Sequence, residues 1–144
     1  MGRVTVHLLG RPKDRAIAAV LSDYESRLKG RGIHLQIHAE KLGREGYERK
    51  LSALQGTLIL LDERGASTTS EGLASWLSAS ELERAATHLA VGPIDGFSEN
   101  AKTSANSIIS LSELTLTHEM AAALLLEQLY RASEINRGSP YHRG

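Results

Sequence analysis

VTVHLLGRPKDRAIAAVLSDYESRLKGRGIHLQI, residues 4–37, carries the pattern that decides the architecture. Val4 to Leu9 alternates apolar with polar residues and runs into Gly10 and Pro12, the composition of a strand that leaves into a helix. Ile17, Val20, Leu21, Tyr24 and Leu28 then recur at helical spacing, the turn Gly30-Arg31-Gly32 stops them, and Ile33, Leu35 and Ile37 alternate as a second strand. The unit is strand, helix, strand.

Downstream the alternation continues. Lys41 to Gly46 reads as a basic, glycine-punctuated loop, followed by a short helix from Tyr47 to Leu54 that stops near Gly56. Thr57 to Leu61 is a continuous apolar run, as in a strand covered on both faces, and it exits into a polar loop, Asp62-Glu63-Arg64-Gly65. Ser70, with Glu71 following, opens a helix containing Leu73, Trp76 and Leu77, with a break and restart expected around Ser80. His88 to Val91 is a strand entering Gly92-Pro93-Ile94-Asp95-Gly96, a brief helix starts at Ser98 or Glu99, and Ile108, Ile109 and Leu111 supply a fifth strand. From about Thr117 to Asn136 runs a helix with Met120, Ala121 to Leu126, Leu129 and Ile135 round much of its girth; these cannot all face one sheet, so a second burial surface is expected, most simply a dimer interface. Strands alternating with helices predict an α/β sandwich around a mainly parallel sheet.

Composition narrows the function. At 144 residues, 41% hydrophobic and 24% charged, the chain fits one globular domain over residues 1–144. It has no cysteine, which excludes disulfides, thiolate metal sites and thiol nucleophiles. The start Met-Gly-Arg-Val-Thr-Val-His lacks a signal-peptide run and no stretch reaches a membrane span, so a cytoplasmic location with no membrane partner is expected. Seventeen Lys and Arg balance 17 Asp and Glu, which argues against coating nucleic acid by bulk charge and makes any RNA contact local. Basic clusters stand at Arg11, Lys13 and Arg15, at Arg27, Lys29 and Arg31, and at Lys41, Arg44, Arg49 and Lys50.

Ligands of an open parallel sheet lie beyond the carboxyl ends of its strands, which singles out the loops Leu61 to Gly65, Gly92 to Gly96 and Leu111 to Thr117. The two glycines of the middle loop fit a ligand-contacting backbone and an ordinary turn equally well. No dinucleotide or phosphate-loop glycine fingerprint is present, and the six histidines are scattered without ligand spacing, so no metal is expected. The tail from Arg131 to Gly144 sets Arg131, Arg137 and Arg143 against Glu134 and ends in Pro140-Tyr141-His142-Arg143, a mixture of charge, aromatic face and titratable ring that suits phosphate and base contacts.

Leu58 to Gly65, Val91 to Phe97, Ser110 to His118, Glu127 to Ala132 and Pro140 to Arg143 occur in an order that resembles the RlmH family, the 23S rRNA pseudouridine N3-methyltransferases. The resemblance covers nearly the whole chain. It implies a SPOUT-type α/β domain with a C-terminal trefoil knot, a homodimer, and S-adenosylmethionine as cofactor in a cleft of Leu61, Gly92, Pro93, Ser112, Glu113, Leu114, Thr115, Leu116 and Thr117. It further implies as substrate a pseudouridine of the helix 69 stem-loop in 23S rRNA, within the ribosome or free.

The sequence departs from the family pattern where Pro93 replaces the second glycine of a pair and Thr117 replaces a proline. The segment between the second and third strands is also shorter. By resemblance, His142 or His118 serves as base or orienting group, Tyr141 shapes or stacks on the nucleobase, and Arg131 and Arg143 hold phosphates, the tail of one subunit reaching the cofactor of the other. A non-catalytic dimeric RNA-binding module of the same fold, or a flavodoxin-like small-molecule binder, are the competing expectations.

Overall fold

Five parallel strands, β1 (Val4–Leu9), β2 (Ile33–His38), β3 (Thr57–Ser67), β4 (Thr87–Val91) and β5 (Ser107–Ser110), form one sheet in the order β2-β1-β4-β3-β5 in the computed structural model, which describes residues 3–143. The ends of the expected domain, Met1, Gly2 and Gly144, lie outside the described residues. Helices α1 (Arg15–Lys29), α3 (Ser70–Ser80) and α5 (His118–Asn136) cover one face, while α2 (Gly43–Ser52) and α4 (Glu99–Ser104) cover the other. The α/β sandwich expected from alternation is therefore present, with every strand parallel.

Strand periodicity of two divides the core. Val4, Val6, Leu8, Ile59, Leu61, Leu89 and Val91 join the cluster with Leu21, Leu28, Leu73, Leu77, Leu125 and Leu129. Leu60 and Ala90 point the other way, against Tyr47, Leu51 and Phe97. Burying such side chains contributes roughly 1.5–3 kcal/mol each for a Val or Leu, the main favourable term holding the layers together.

The girth of α5 has an explanation inside the chain. Ala122, Leu125, Leu126, Leu129 and Ala132 are buried in the cluster that also contains residues of α1 and α3, so α5 is sandwiched by two helices as well as the sheet. Helices of the same chain thus cover most of its apolar circumference, while Met120 is left exposed. Trp76 is half-buried at the edge of this cluster.

Several boundaries differ from the sequence expectation. Residues 62–65 are not an exit loop: β3 runs on to Ser67, and Ala66 and Ser67 pair with Ile109 and Ser110 after a register shift that follows Leu61. These residues read as loop because Asp62, Glu63 and Arg64 project into a cavity rather than a core, which erases the apolar alternation. Lys41 to Gly46 is likewise not a loop but a 3-10 turn, Glu40–Leu42, followed at once by α2, which ends at Ser52. Thr69 rather than Ser70 caps α3, its hydroxyl accepting from the Gly72 amide, and the helix ends at Ser80 without restarting. β5 stops at Ser110, one residue before Leu111.

Thr117 has a local role that a proline could not fill: its hydroxyl accepts from the Met120 amide at 3.1 Å and caps α5. Thr117→Ala is expected to cost about 1 kcal/mol, a fall of about 4 °C in melting temperature by calorimetry. An unchanged melting point would mean that the α5 terminus finds another acceptor.

Candidate active site

A cavity of about 880 Å³ opens at the carboxyl ends of β3, β4 and β5. Its walls are the three segments picked out from the sequence: Leu61 to Arg64 of β3, and the loops Gly92 to Gly96 and Leu111 to Thr117 without Glu113. The first turns of α1 and α5 close it, through Asp14, Ile17, His118, Glu119 and Ala121. Leu61, Gly92, Pro93, Ser112, Leu114, Thr115, Leu116 and Thr117 all line this space, whereas Glu113 is exposed and turned from the wall.

The third loop is braced by its own polar side chains. The Ser112 hydroxyl accepts from the Leu114 amide at 3.0 Å, and the Ser110 hydroxyl donates to the Ser112 carbonyl at 2.9 Å. The Thr115 hydroxyl donates to the Glu63 carboxylate at 2.8 Å, tying loop to strand. In the middle loop Gly96 takes φ +75°, a conformation that favours glycine, and its amide donates to the Pro93 carbonyl at 2.8 Å. On the opposite wall Lys13 and Asp14 donate backbone amides to Glu119, which joins the start of α1 to the start of α5.

Charge distinguishes the cavity from the neutral chain around it. Five carboxylates, of Asp14, Asp62, Glu63, Asp95 and Glu119, face two cations, of Arg64 and Lys102, a formal charge of −3 leaving His118 aside. Lys102 is paired with Asp62 at 3.2 Å, both side chains largely covered, so the remaining acidic groups dominate. Such a lining favours a ligand with exposed positive charge, and the apolar Ile17, Leu111, Leu116 and Ala121 supply a surface for a flat ring. Asp14, Ile17, Lys102 and Glu119 were not anticipated as site residues. Asp14 was findable, since it caps α1, whose start must share an edge with the end of β1.

The tail forms a separate cluster. A 3-10 turn, Pro140–Arg143, docks against α5 and the start of α3. His142 donates through Nε2 to the Glu71 carboxylate at 2.9 Å and accepts at Nδ1 from Arg131 at 3.2 Å, which fixes its tautomer as Nε2–H. Arg131 also donates to Glu127 at 2.8 Å and lies 5.0 Å over the Tyr141 ring.

The Tyr141 hydroxyl donates to Glu127 and lies 3.0 Å from that of Tyr24. Burial first, then these hydrogen bonds, push its pKa well above the usual phenol range, so it stays a donor. Arg143 is exposed. The guanidinium of Arg131 is thus engaged inside the chain, and Arg143 is the tail cation open to an external anion.

His118 and His142 are not brought together. Arg131, the partner of His142, stands thirteen residues along α5 from His118, about 20 Å by helical rise. Among the described residues no group of three His, Cys, Asp or Glu is placed to hold a metal, and no helix is long and apolar enough to cross a membrane.

A parallel sheet covered on both faces, with a cleft at its strand ends, is shared by many α/β folds; the family model described as predicted SPOUT methyltransferase matches residues 3–142 and places the chain in the SPOUT methyltransferase class. Proteins named ribosomal RNA large subunit methyltransferase H are similar over the full chain. The Synechococcus sp. (strain RCC307) protein is 36% identical over 149 residues, covering 98% of this chain and 95% of its own. That of Koribacter versatilis is 34% identical over 147 residues, covering 99% of each. The chain belongs to this ribosomal RNA large subunit methyltransferase H family. In fold it is similar to a Legionella pneumophila protein assigned as a methyltransferase and solved with the bound cofactor SAM, at a TM-score of 0.51 and 12% identity, covering 92% of this chain and 66% of that one.

Proposed function

We propose that this chain methylates 23S rRNA of the large ribosomal subunit, using S-adenosylmethionine, at N3 of a pseudouridine in the helix 69 stem-loop. The observation that carries the reading is the acidic, loop-walled cavity at the carboxyl ends of β3, β4 and β5. Its excess of carboxylates suits the sulfonium and ammonium charges of that cofactor, and its apolar wall suits the adenine ring. The names of the full-length relatives support rRNA as the substrate class.

When bound, S-adenosylmethionine supplies a methyl carbon already activated by the adjacent sulfonium. The protein then has two tasks: to align the target nitrogen with that carbon, and to accept the proton that the nitrogen loses. His118, on the cavity wall, is placed to accept or relay it. His142, Tyr141 and Arg143 are too far along α5 to act on the cavity of their own chain, so their contribution requires a homodimer in which each tail serves the other subunit's cavity. The exposed Leu114, Ile94 and Met120 near the cavity are consistent with a covered surface in that assembly.

Mass mapping of large-subunit rRNA from cells with and without the gene tests the reading: one methyl on a single pseudouridine is expected to disappear. Identical maps would reject it. Calorimetry with S-adenosylmethionine separates the enzyme from a non-catalytic RNA-binding module, which would show no binding at millimolar ligand.

A further inference from the structure

Three histidines that lie far apart in the chain meet on the α2 face of the sheet. His38 of β2, His7 of β1 and His88 of β4 form a diagonal staircase, because Leu9 is in register with His38 and Thr5 with His88. Nε2 of His38 is 2.8 Å from Nδ1 of His7, Nε2 of His7 is 2.8 Å from Nδ1 of His88, and Nε2 of His88 is 3.1 Å from the Gln55 carbonyl.

The carbonyl decides every proton in the row. It only accepts, so His88 carries its hydrogen on Nε2 and accepts at Nδ1. His7 must then donate from Nε2 and accept at Nδ1, and His38 must donate from Nε2. Three neutral Nε2–H rings satisfy the row. Nδ1 of His38 is the remaining nitrogen, without a protein partner among the described residues. A proton on that nitrogen breaks no bond, whereas a second proton on His7 must go on Nδ1, where it meets the Nε2–H of His38 and breaks that hydrogen bond.

His38 faces Tyr47 of α2 edge-on, ring centres 5.4 Å apart. Tyr47 is fully buried, stacks on Phe97 at 6.1 Å, and its hydroxyl donates to the Val91 carbonyl at 2.8 Å. A Cβ on Gly92 would sit 3.5 Å from the Phe97 ring, so ring and cavity wall are in near contact. We propose that Tyr47 is a positioning residue for the Val91–Phe97 wall of the cofactor cavity, and that the histidine row holds Tyr47 in place only while His7 is neutral, so that cofactor affinity falls in mild acid.

Burial, then the charges of His88 and His38, push the pKa of His7 down to about 3, and burial, then Lys50, lowers that of His38. Lys50 is the charged side chain acting on His38, and among the described residues no carboxylate is hydrogen-bonded to any of the three rings. The sign follows from linkage. A loosened His7 binds a proton from the usual 6.5 downward, whereas the packed His7 does not until about 3. The packed arrangement is therefore fully favoured above 6.5 and loses ground as pH falls between those values.

The affinity readout rests on the cofactor assigned above, while the ring and backbone readouts do not. Nitrogen-15 NMR of the whole protein at pH 7.5 is expected to show His7, His38 and His88 as Nε2–H tautomers, with the Gly92 and Phe97 amides shifting as pH falls below about 6.5. The dissociation constant for S-adenosylmethionine is expected to rise about fivefold from pH 7.5 to 5.5, the equivalent of about 1 kcal/mol. Tyr47→Phe keeps the ring but deletes the donor; it is expected to weaken binding about fivefold at pH 7.5 and to lose most of the further acid response.

A variant with His7, His38 and His88 all changed to Val is expected to lose most of the acid response. An Nδ1–H tautomer at His7, still Gly92 and Phe97 amides, or an undiminished acid response in Tyr47→Phe would overturn the proposal. Should the triple variant not fold, the wild-type tautomers and Tyr47→Phe decide. If S-adenosylmethionine binds at no pH, the cofactor reading fails and the two amides decide the row by themselves.

Discussion

Gly65→Ala is expected to lower folding stability by about 2–3 kcal/mol and to weaken cofactor binding about tenfold. A Cβ at this position would lie 2.8 Å from the carbonyl carbon and oxygen of Ile108 and from the carbonyl carbon of Ile109. These are backbone atoms of a paired strand, which have no rotamer by which to retreat. To admit the methyl group β3 must lift away from β5, just where the register shifts between Leu61 and Ala66.

The consequence reaches the site because Asp62, Glu63 and Arg64 hang from the same segment into the cavity, and Glu63 holds the Thr115 hydroxyl of the facing loop. Urea titration and calorimetry with S-adenosylmethionine measure the two effects separately. Stability within about 0.5 kcal/mol of the parent protein, the range of an ordinary surface substitution, would show that the two strands separate at little cost.

His142→Ala is expected to reduce methyl transfer to rRNA about a hundredfold or more, with the affinity for S-adenosylmethionine changed by less than about twofold, under 0.5 kcal/mol. The separation follows from position. His142 lies some 20 Å along α5 from the cavity of its own chain, so it has no part in holding that chain's cofactor. Its effect on folding is expected to be small, since its side chain is 35% exposed and its Glu71 partner 69% exposed.

Arg131 and Glu71 fix the ring of His142 in one tautomer, which is what a base or an orienting group requires. A single-turnover assay on large-subunit rRNA gives the transfer rate and calorimetry the affinity. Turnover at the parent rate would remove His142 from the reaction and leave His118 to accept the proton. A loss of affinity equal to the loss of rate would make His142 a group that holds the cofactor rather than one that acts on the methyl acceptor.

Much of the site was legible before the fold was known. Three strand-exit segments were named from their position after apolar runs, and all three line the cavity. The helices expected to start at Ser98 or Glu99 and at about Thr117 start at Glu99 and His118, and the order of strands and helices holds throughout. Glu113 was drawn into the site by its neighbours in the chain, but a loop alternates its directions and this side chain points to solvent. The doubly apolar α5 was legible as a pattern; which surfaces cover it was not, because helices of the same chain and of a second chain leave the same imprint on one helix.

By itself the sequence determined the layered parallel architecture, the edge of the sheet where a ligand belongs, and the family. The first two are written in local periodicity, where a residue's character reports the burial of its immediate neighbours, and the family in the order of motifs that resemble it. Only the tertiary structure decided that His7 meets His38 and His88, 31 and 81 residues away, that β3 continues through its polar segment, and that Arg131 anchors the tail. A polar group satisfied by a distant partner leaves no periodic trace, since its hydrogen bond depends on strand register and layer packing that are fixed only when the whole chain closes.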